Sequence, residues 1–248
     1  LYGVNLATGY YELLTDDMGT NNKLNGIGFN YHDAYMYGWS KEHDSLVQIS
    51  SDYQVSPLVV TNKPGSSFYV GDIAIDENTW YGYRPGASYG LYKVSLDPTD
   101  PNYLNFVSII DGASLNINVF DMAFHPDNGY VYAVDKNGKL WRIDPSDGSA
   151  NDMGNVGQTG TFGAAYFDAS GKFYISRNND GHIFRIDVAA ESVTAEFFAF
   201  GPNSGNNDGA RCALAPVVDA DESEIDFGDA PDSYGTLLES NGARHQIT

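Results

Sequence analysis

A short apolar strand recurs five times along the chain, as Gly26-Ile-Gly-Phe29, Asp72-Ile-Ala-Ile75, Asp121-Met-Ala-Phe124, Ala164-Ala-Tyr-Phe167 and Arg211-Cys-Ala-Leu214. Successive copies start 46, 49, 43 and 47 residues apart, and self-similarity at such a period marks a repeat architecture of propeller-blade length. Nine residues after the start of each of the first four copies stands an aromatic: Tyr35, Tyr81, Tyr130 or Phe173. Two residues further on is another large apolar side chain: Tyr37, Tyr83, Tyr132 or Ile175. Spacing by two is the period of a strand. A third strand begins nineteen or twenty residues into each copy, at Leu46–Ile49, Leu91–Val94, Leu140–Ile143 and Ile183–Ile186. A looser fourth follows at Val55–Val60, Leu104–Ile110, Ala150–Val156 and Val193–Phe200, after punctuation such as Asp144-Pro-Ser-Asp-Gly148.

Four antiparallel strands joined by tight turns such as Asp135-Lys-Asn-Gly138 describe a propeller blade, whose sheets pack face to face and leave only short edges. The expected fold is therefore all-β: a five-bladed propeller over residues 1–218 with an acidic extension over 219–248. The fifth copy lacks the expected aromatics, with Ala220 and Glu222 in their places. Its continuation is expected at the other terminus, where Leu1–Val4 and Asn5–Gly9 match a third-strand segment and Tyr11–Leu14 a fourth. On this reading the N-terminal strands close the ring beside Arg211–Leu214. The second strand of that blade would come from residues ahead of Leu1 or from a detour through Ile225–Phe227. A start at Leu1, with no initiator Met and no signal-like segment, leads us to expect a piece excised from a longer chain.

Composition narrows the partners. Lys and Arg number 13 against 33 Asp and Glu, a net charge of −20, which leaves little surplus for the basic patch that nucleic acids or anionic membranes require. No apolar run approaches the eighteen or so residues of a bilayer span, so no membrane insertion is expected. The single Cys212 has no internal disulfide partner.

Beyond Pro216 the blade pattern stops. The run Asp226-Phe-Gly-Asp-Ala-Pro-Asp-Ser-Tyr-Gly-Thr236, with Asn241-Gly-Ala-Arg-His245 behind it, resembles the opening of a β-sandwich module in very large bacterial surface and adhesin-like proteins. The blade phrase, an apolar strand, a Tyr pair and then Leu-Trp-Arg-Ile-Asp-Pro as in 140–145, is similar to propeller domains placed before such modules in secreted bacterial proteins. The resemblance implies a secreted or cell-surface location and neighbouring modules in the same chain.

Three sets of residues are candidates for chemistry. Equivalent inner-strand positions put Asp72, Asp121 and Arg211 around the axial channel. Paired carboxyls there could act as the acid and base of a glycoside hydrolase, although a neighbouring Arg lowers both pKa values and disfavours the acid role. The expected role is structural, with each carboxylate accepting backbone N–H groups and Arg211 close to at least one of them. The loops of one face bring Trp39, Tyr83, Arg84, Tyr89, Arg177 and Asn179 together, aromatic faces beside amides and guanidinium groups that suit a carbohydrate or an extracellular protein ligand. The acidic run offers Asp219, Asp221, Glu224 and Asp226 as hard oxygen ligands, so calcium is the one ion considered, with no other cofactor. The histidines make no zinc-type spacing, and neither a phosphate loop nor a dinucleotide fingerprint is present. The leading expectation is a non-catalytic binding or spacer domain; the alternative is a glycosidase-like enzyme using Asp72 and Asp121.

Overall fold

The computed structural model describes residues 1–20, 24–65, 67–86 and 88–217, together with the paired backbone of two short strands at Ile225–Asp226 and His245–Gln246. Four sheets of four antiparallel strands follow one another along the chain. The first contains β3 (Leu24–Phe29), β4 (Met36–Ser40), β5 (Ser45–Ile49) and β6 (Val55–Pro57). The second contains β7 (Val70–Ala74), β8 (Thr79–Arg84), β9 (Gly90–Ser95) and β10 (Phe106–Asp111). The third contains β11 (Ala123–Phe124), β12 (Val131–Val134), β13 (Lys139–Ile143) and β14 (Ala150–Asn155). The fourth contains β15 (Phe162–Phe167), β16 (Lys172–Arg177), β17 (His182–Asp187) and β18 (Ala195–Phe200). The strands of the first four copies therefore lie close to where the period places them, and β3, β7, β11 and β15 neighbour one another in that order. No helix occurs among the described residues, so none is long and apolar enough to cross a membrane.

Period-two alternation explains how these sheets stack. In β8, Trp80 joins a core with Tyr37, Trp39 and Leu46 of the first blade, whereas Tyr81 and Tyr83 join Val131, Ala133 and Phe124 of the third. In β12, Val131 and Ala133 face the second blade, and Tyr132 and Val134 face Phe167, Phe173 and Ile175 of the fourth. Such strands divide their side chains between two cores, so the apolar interior consists of seams between blades. Full burial of one such aromatic contributes about 1.5–3 kcal/mol.

Acidic side chains shape the turns. Asp97, Asp111, Asp144 and Asp187 each accept the backbone N–H two residues on, the Asx turn that reverses a chain between strands. At Asp135-Lys-Asn-Gly138 the Asp135 Oδ1 accepts from Asn137 and Lys139, and Gly138 takes a φ of 84°. Much of the negative charge is thus turn chemistry.

The fifth blade is the correction. Among the described residues there are four blades and no strand pairing that closes a ring. β1 (Tyr2–Val4) and β2 (Tyr11–Leu13) form where the repeat predicts strands, but among the described residues they pair only with each other. Arg211–Leu214 is not a strand. There Arg211 Nη1 donates to the carbonyls of Phe167, Cys212 and Ala215, and Nη2 to that of Pro216. The chain turns there instead, and the Cys212 carbonyl accepts the N–H of Ala215 as well as Arg211 Nη1. The expected boundary at 218/219 falls outside the described residues, as does most of the acidic extension.

Candidate functional site

Two places collect polar groups, one on the inner strands and one among the loops.

On the inner strands, Asp72 begins the recurring segment of β7, Asp121 stands just ahead of β11, and Asp208 comes from the chain that follows β18. Each is bonded to a neighbouring segment. Asp72 Oδ2 accepts the N–H of Phe124 at 2.8 Å, and Asp121 Oδ2 that of Ala165 at 2.7 Å. Asp208 accepts from Gly26 at 2.7 Å and from Ile27 at 3.1 Å. Every acceptor belongs to one segment and every donor to the next inner strand, so the three carboxyls tie successive parts of the fold together. Gly28 makes room for this: a β-carbon there would lie 2.5 Å from the Ile73 nitrogen and 2.7 Å from Asp72 Oδ1.

The three groups share an unfavourable electrostatic setting. Burial lifts Asp72 to about 7, against the N–H groups of Phe124 and Ile73. Burial and then the Asp208 and Asp72 carboxylates hold Asp121 well above the usual range. Burial also raises Asp208, opposed by the N–H groups of Ile27 and Gly26. Asp121 is 2% exposed and its Oδ1 has no hydrogen-bond partner among the described residues. Removing a carboxylate from water without a cation favours its protonated form.

The expected Arg211 partner is a further correction. Its donors go to main-chain carbonyls, it forms no ion pair among the described residues, and the acids rise instead of falling. Asp72 and Asp121 each accept a backbone N–H through Oδ2. Asp208 was missed by sequence reasoning, and a signal existed: it lies 87 residues after Asp121, two blade lengths.

The loop face gathers fewer residues than expected. A cleft of about 660 Å³ is lined by Thr159, Gly160, Thr161, Arg177, Asn178, Asn179, Asp180, Ser204 and Gly205. It contains two of the six predicted residues, Arg177 and Asn179. Arg177 is fixed: Nη2 donates to Asp180 Oδ2 at 2.7 Å, Nε bonds both carboxylate oxygens, Nη1 reaches Gln158 and the Thr159 carbonyl, and the guanidinium lies over the Phe184 ring. Burial opposes ionisation of Asp180, but the Arg177 hydrogen bonds prevail and hold it below the usual range. Asn178 forms the floor, its Oδ1 accepting from Gly163, while Asn179 is exposed.

The other predicted ligand residues lie elsewhere. Trp39 is fully buried in the seam against Phe68 and Phe106. Tyr83 is 1% exposed, and its hydroxyl donates to the carbonyls of Leu115 and Ile117. Arg84 stacks on Tyr89 with 4.0 Å to the ring centroid and donates to Ser67. Strand alternation sends Trp39 and Tyr83 inward, and Arg84 and Tyr89 satisfy each other. Asp219, Asp221 and Glu224 lie outside the described residues, as does the side chain of Asp226; among the described residues no three His, Cys, Asp or Glu side chains are placed to hold an ion.

Four stacked antiparallel sheets with inner strands in sequence define a β-propeller-like repeat protein. A family model described as a repeat of unknown function, DUF6923, matches residues 1–214, and the chain belongs to that family. No curated protein matches it. Among solved structures, the chain is similar to a gluconolactonase from Xanthomonas campestris, with 14% identity, a TM-score of 0.53, and coverage of 82% of this chain and 73% of that one. It is also similar to an auxiliary nutrient binding protein from Bacteroides ovatus, with 16% identity, a TM-score of 0.52, and coverage of 73% and 43%. A third likeness is a protein of unknown function from Bacteroides thetaiotaomicron, with 14% identity, a TM-score of 0.52, and coverage of 80% and 49%. The chain spans about half the length of the two Bacteroides proteins. At such identity the likeness is one of fold.

Proposed function

We propose that the chain is a non-catalytic ligand-binding domain of a secreted or surface-attached protein, and that its ligand is a neutral saccharide seated in the loop cleft. The carrying observation is the chemistry of the walls. They present hydroxyls, amides and main-chain groups, and their one guanidinium is already neutralised by Asp180. A volume of about 660 Å³ falls in the range of roughly 300–1,000 Å³ common for small-ligand sites. A charged ligand would have to break the Arg177–Asp180 pair, whereas a polyhydroxylated one bonds to the exposed Asn179 and Thr159. The test is a glycan array followed by calorimetric titration of the best binder. Asn179→Ala combined with Thr159→Ala should weaken binding at least about tenfold, the loss of roughly one or two hydrogen bonds. Binding of no glycan, or binding indifferent to both substitutions, would refute this reading.

A second reading rests on the raised acids and on the unpartnered Asp121 Oδ1, and treats Asp72 and Asp121 as the carboxyl pair of a hydrolase. A panel of aryl glycosides and gluconolactone decides between them. Turnover by the native chain that Asp121→Asn abolishes while the melting temperature holds would favour the enzyme.

A further inference from the structure

We infer, on the reading of the loop cleft as a saccharide site, that His182 makes the cleft proton-dependent: with a neutral imidazole it takes the uncharged saccharide, and with a protonated one it takes a saccharide bearing a carboxylate. One bond fixes the state of the ring. Arg177 Nη2 lies 3.1 Å from His182 Nδ1, and a guanidinium has donors only. Nδ1 is therefore the acceptor, so the ring is neutral and carries its proton on Nε2. The same Nη2 donates to Asp180 Oδ2 at 2.7 Å, and that oxygen lies 3.6 Å from His182 Nδ1. One carboxylate oxygen thus stands within reach of two nitrogens.

The surroundings hold the ring in that place. The main-chain N–H of His182 donates to Asp180 Oδ1 at 3.2 Å. Among the described residues the charged groups at the ring are Arg177 of β16 and Asp180 of the turn that follows it. β17 presents Phe184, and β18 presents Phe197 and Phe200, with ring centroids 6.0, 5.4 and 5.1 Å away. Those rings offer Nδ1 no acceptor. His182 keeps 31% of its side-chain surface, so protons from solvent reach it. Protonation turns Nδ1 into a donor. Two cationic donors then face each other at the Arg177–His182 contact, and Asp180 Oδ2 is the acceptor for both. As Asp180 turns toward the imidazolium, Arg177 Nη2 loses its acceptor and the net charge of the three groups rises from zero to one positive. Arg177 Nε keeps Asp180 Oδ1, and Nη1 keeps Gln158 and the Thr159 carbonyl, so the guanidinium stays in the cleft wall with Nη2 unsatisfied. A carboxylate is the ligand group that matches a guanidinium edge. Histidine is the side chain whose ordinary titration falls between pH 5 and 8.

The test titrates the full chain with glucose and with sodium glucuronate, a sugar and its carboxylate counterpart, at about pH 5.5 and about pH 8, on either side of the ordinary histidine range. Glucuronate is ionised at both. Glucuronate should bind at least about fivefold more tightly at the lower pH, and glucose should change by less than about twofold. In the free chain, the Arg177 Nε–H resonance should titrate with the same midpoint as the His182 ring. His182→Asn keeps an acceptor near the place of Nδ1 and takes up no proton, so its affinity for glucuronate should be the same at both pH values. The inner-strand acids, Asp72 among them, still titrate in that variant, which separates their effect from that of His182. A glucuronate affinity indifferent to pH in the native chain, or a dependence that survives in His182→Asn, would overturn the inference and leave the neutral-saccharide reading standing if glucose binds. So would an Arg177 resonance that ignores the His182 titration. Binding of neither sugar at either pH would refute the inference and the reading beneath it together.

Discussion

Aspartate does opposite work in two regions of this molecule. In the turns and at strand ends, Asp97, Asp111, Asp147 and Asp187 lie near water, accept a local N–H or a hydroxyl or lysine proton, and are held below the usual carboxylate range. On the inner strands, Asp72, Asp121 and Asp208 accept N–H groups from neighbouring segments far along the chain and are pushed upward by burial. The side chain and the bond type are the same, and the dielectric differs. A turn carboxylate settles the path of its own loop, whereas an inner-strand carboxylate joins distant parts of the fold in a setting that favours a proton.

The contrast breaks most sharply on pH. A group whose folded pKa is raised takes up protons in the native state before the unfolded chain does, so its contribution is fullest below the unfolded value and is lost as pH rises through the folded one. For Asp72 the window runs from about 4 to about 7 and represents on the order of 4 kcal/mol. The turn carboxylates act in the opposite sense, and their contribution is lost as pH falls below about 4. Chemical denaturation from pH 3 to pH 8 should therefore find maximal stability near pH 4–5 and a decline toward neutrality. A rise between pH 5 and pH 7 would mean that the inner acids are neutralised by something else. Asp121→Asn keeps an acceptor for Ala165 and removes a charge, so it should flatten the decline.

The next largest effect is expected from Asp208→Ala. It leaves the Gly26 and Ile27 N–H groups without their acceptor, at a cost of about 2–3 kcal/mol, read as a shift in denaturation midpoint at pH 5. A smaller loss, about 1–2 kcal/mol, is expected from Asp168→Ala, because Asp168 holds the Ser170–Lys172 turn and the Tyr174 hydroxyl within one blade. If Asp168→Ala cost more than Asp208→Ala, the turns would outrank the inner ties. The smallest effect belongs to the exposed Lys139–Asp152 pair: Lys139→Ala should leave the melting temperature unchanged within measurement, as surface pairs generally do.

The blades were legible because period-two spacing repeats with little change of register, and Asp72 and Asp121 were legible as equivalent positions within it. The binding residues were less so. Trp39 stands two residues after Tyr37, and Tyr83 two after Tyr81, so alternation already pointed them inward, but their nearness to loops suggested a surface. Asp208 escaped because the fifth copy was aligned on the apolar Cys212-Ala-Leu214, and the chain there is shaped by Arg211 and its carbonyls. The Arg177–Asp180 pair is a contact three residues apart whose guanidinium also bonds Gln158, nineteen residues away and brought near by the fold.

Because Trp80 belongs to one seam and Tyr81 with Tyr83 to the next, adjacent positions of a single strand have different correspondents in evolution. A change of size at residue 80 must be answered in the first blade, and one at residue 81 or 83 in the third. The unit of inheritance in such a repeat is then the space between two sheets. A recombination that exchanged one whole sheet would cut through two of these units, whereas one that exchanged facing halves of neighbouring sheets would leave each intact.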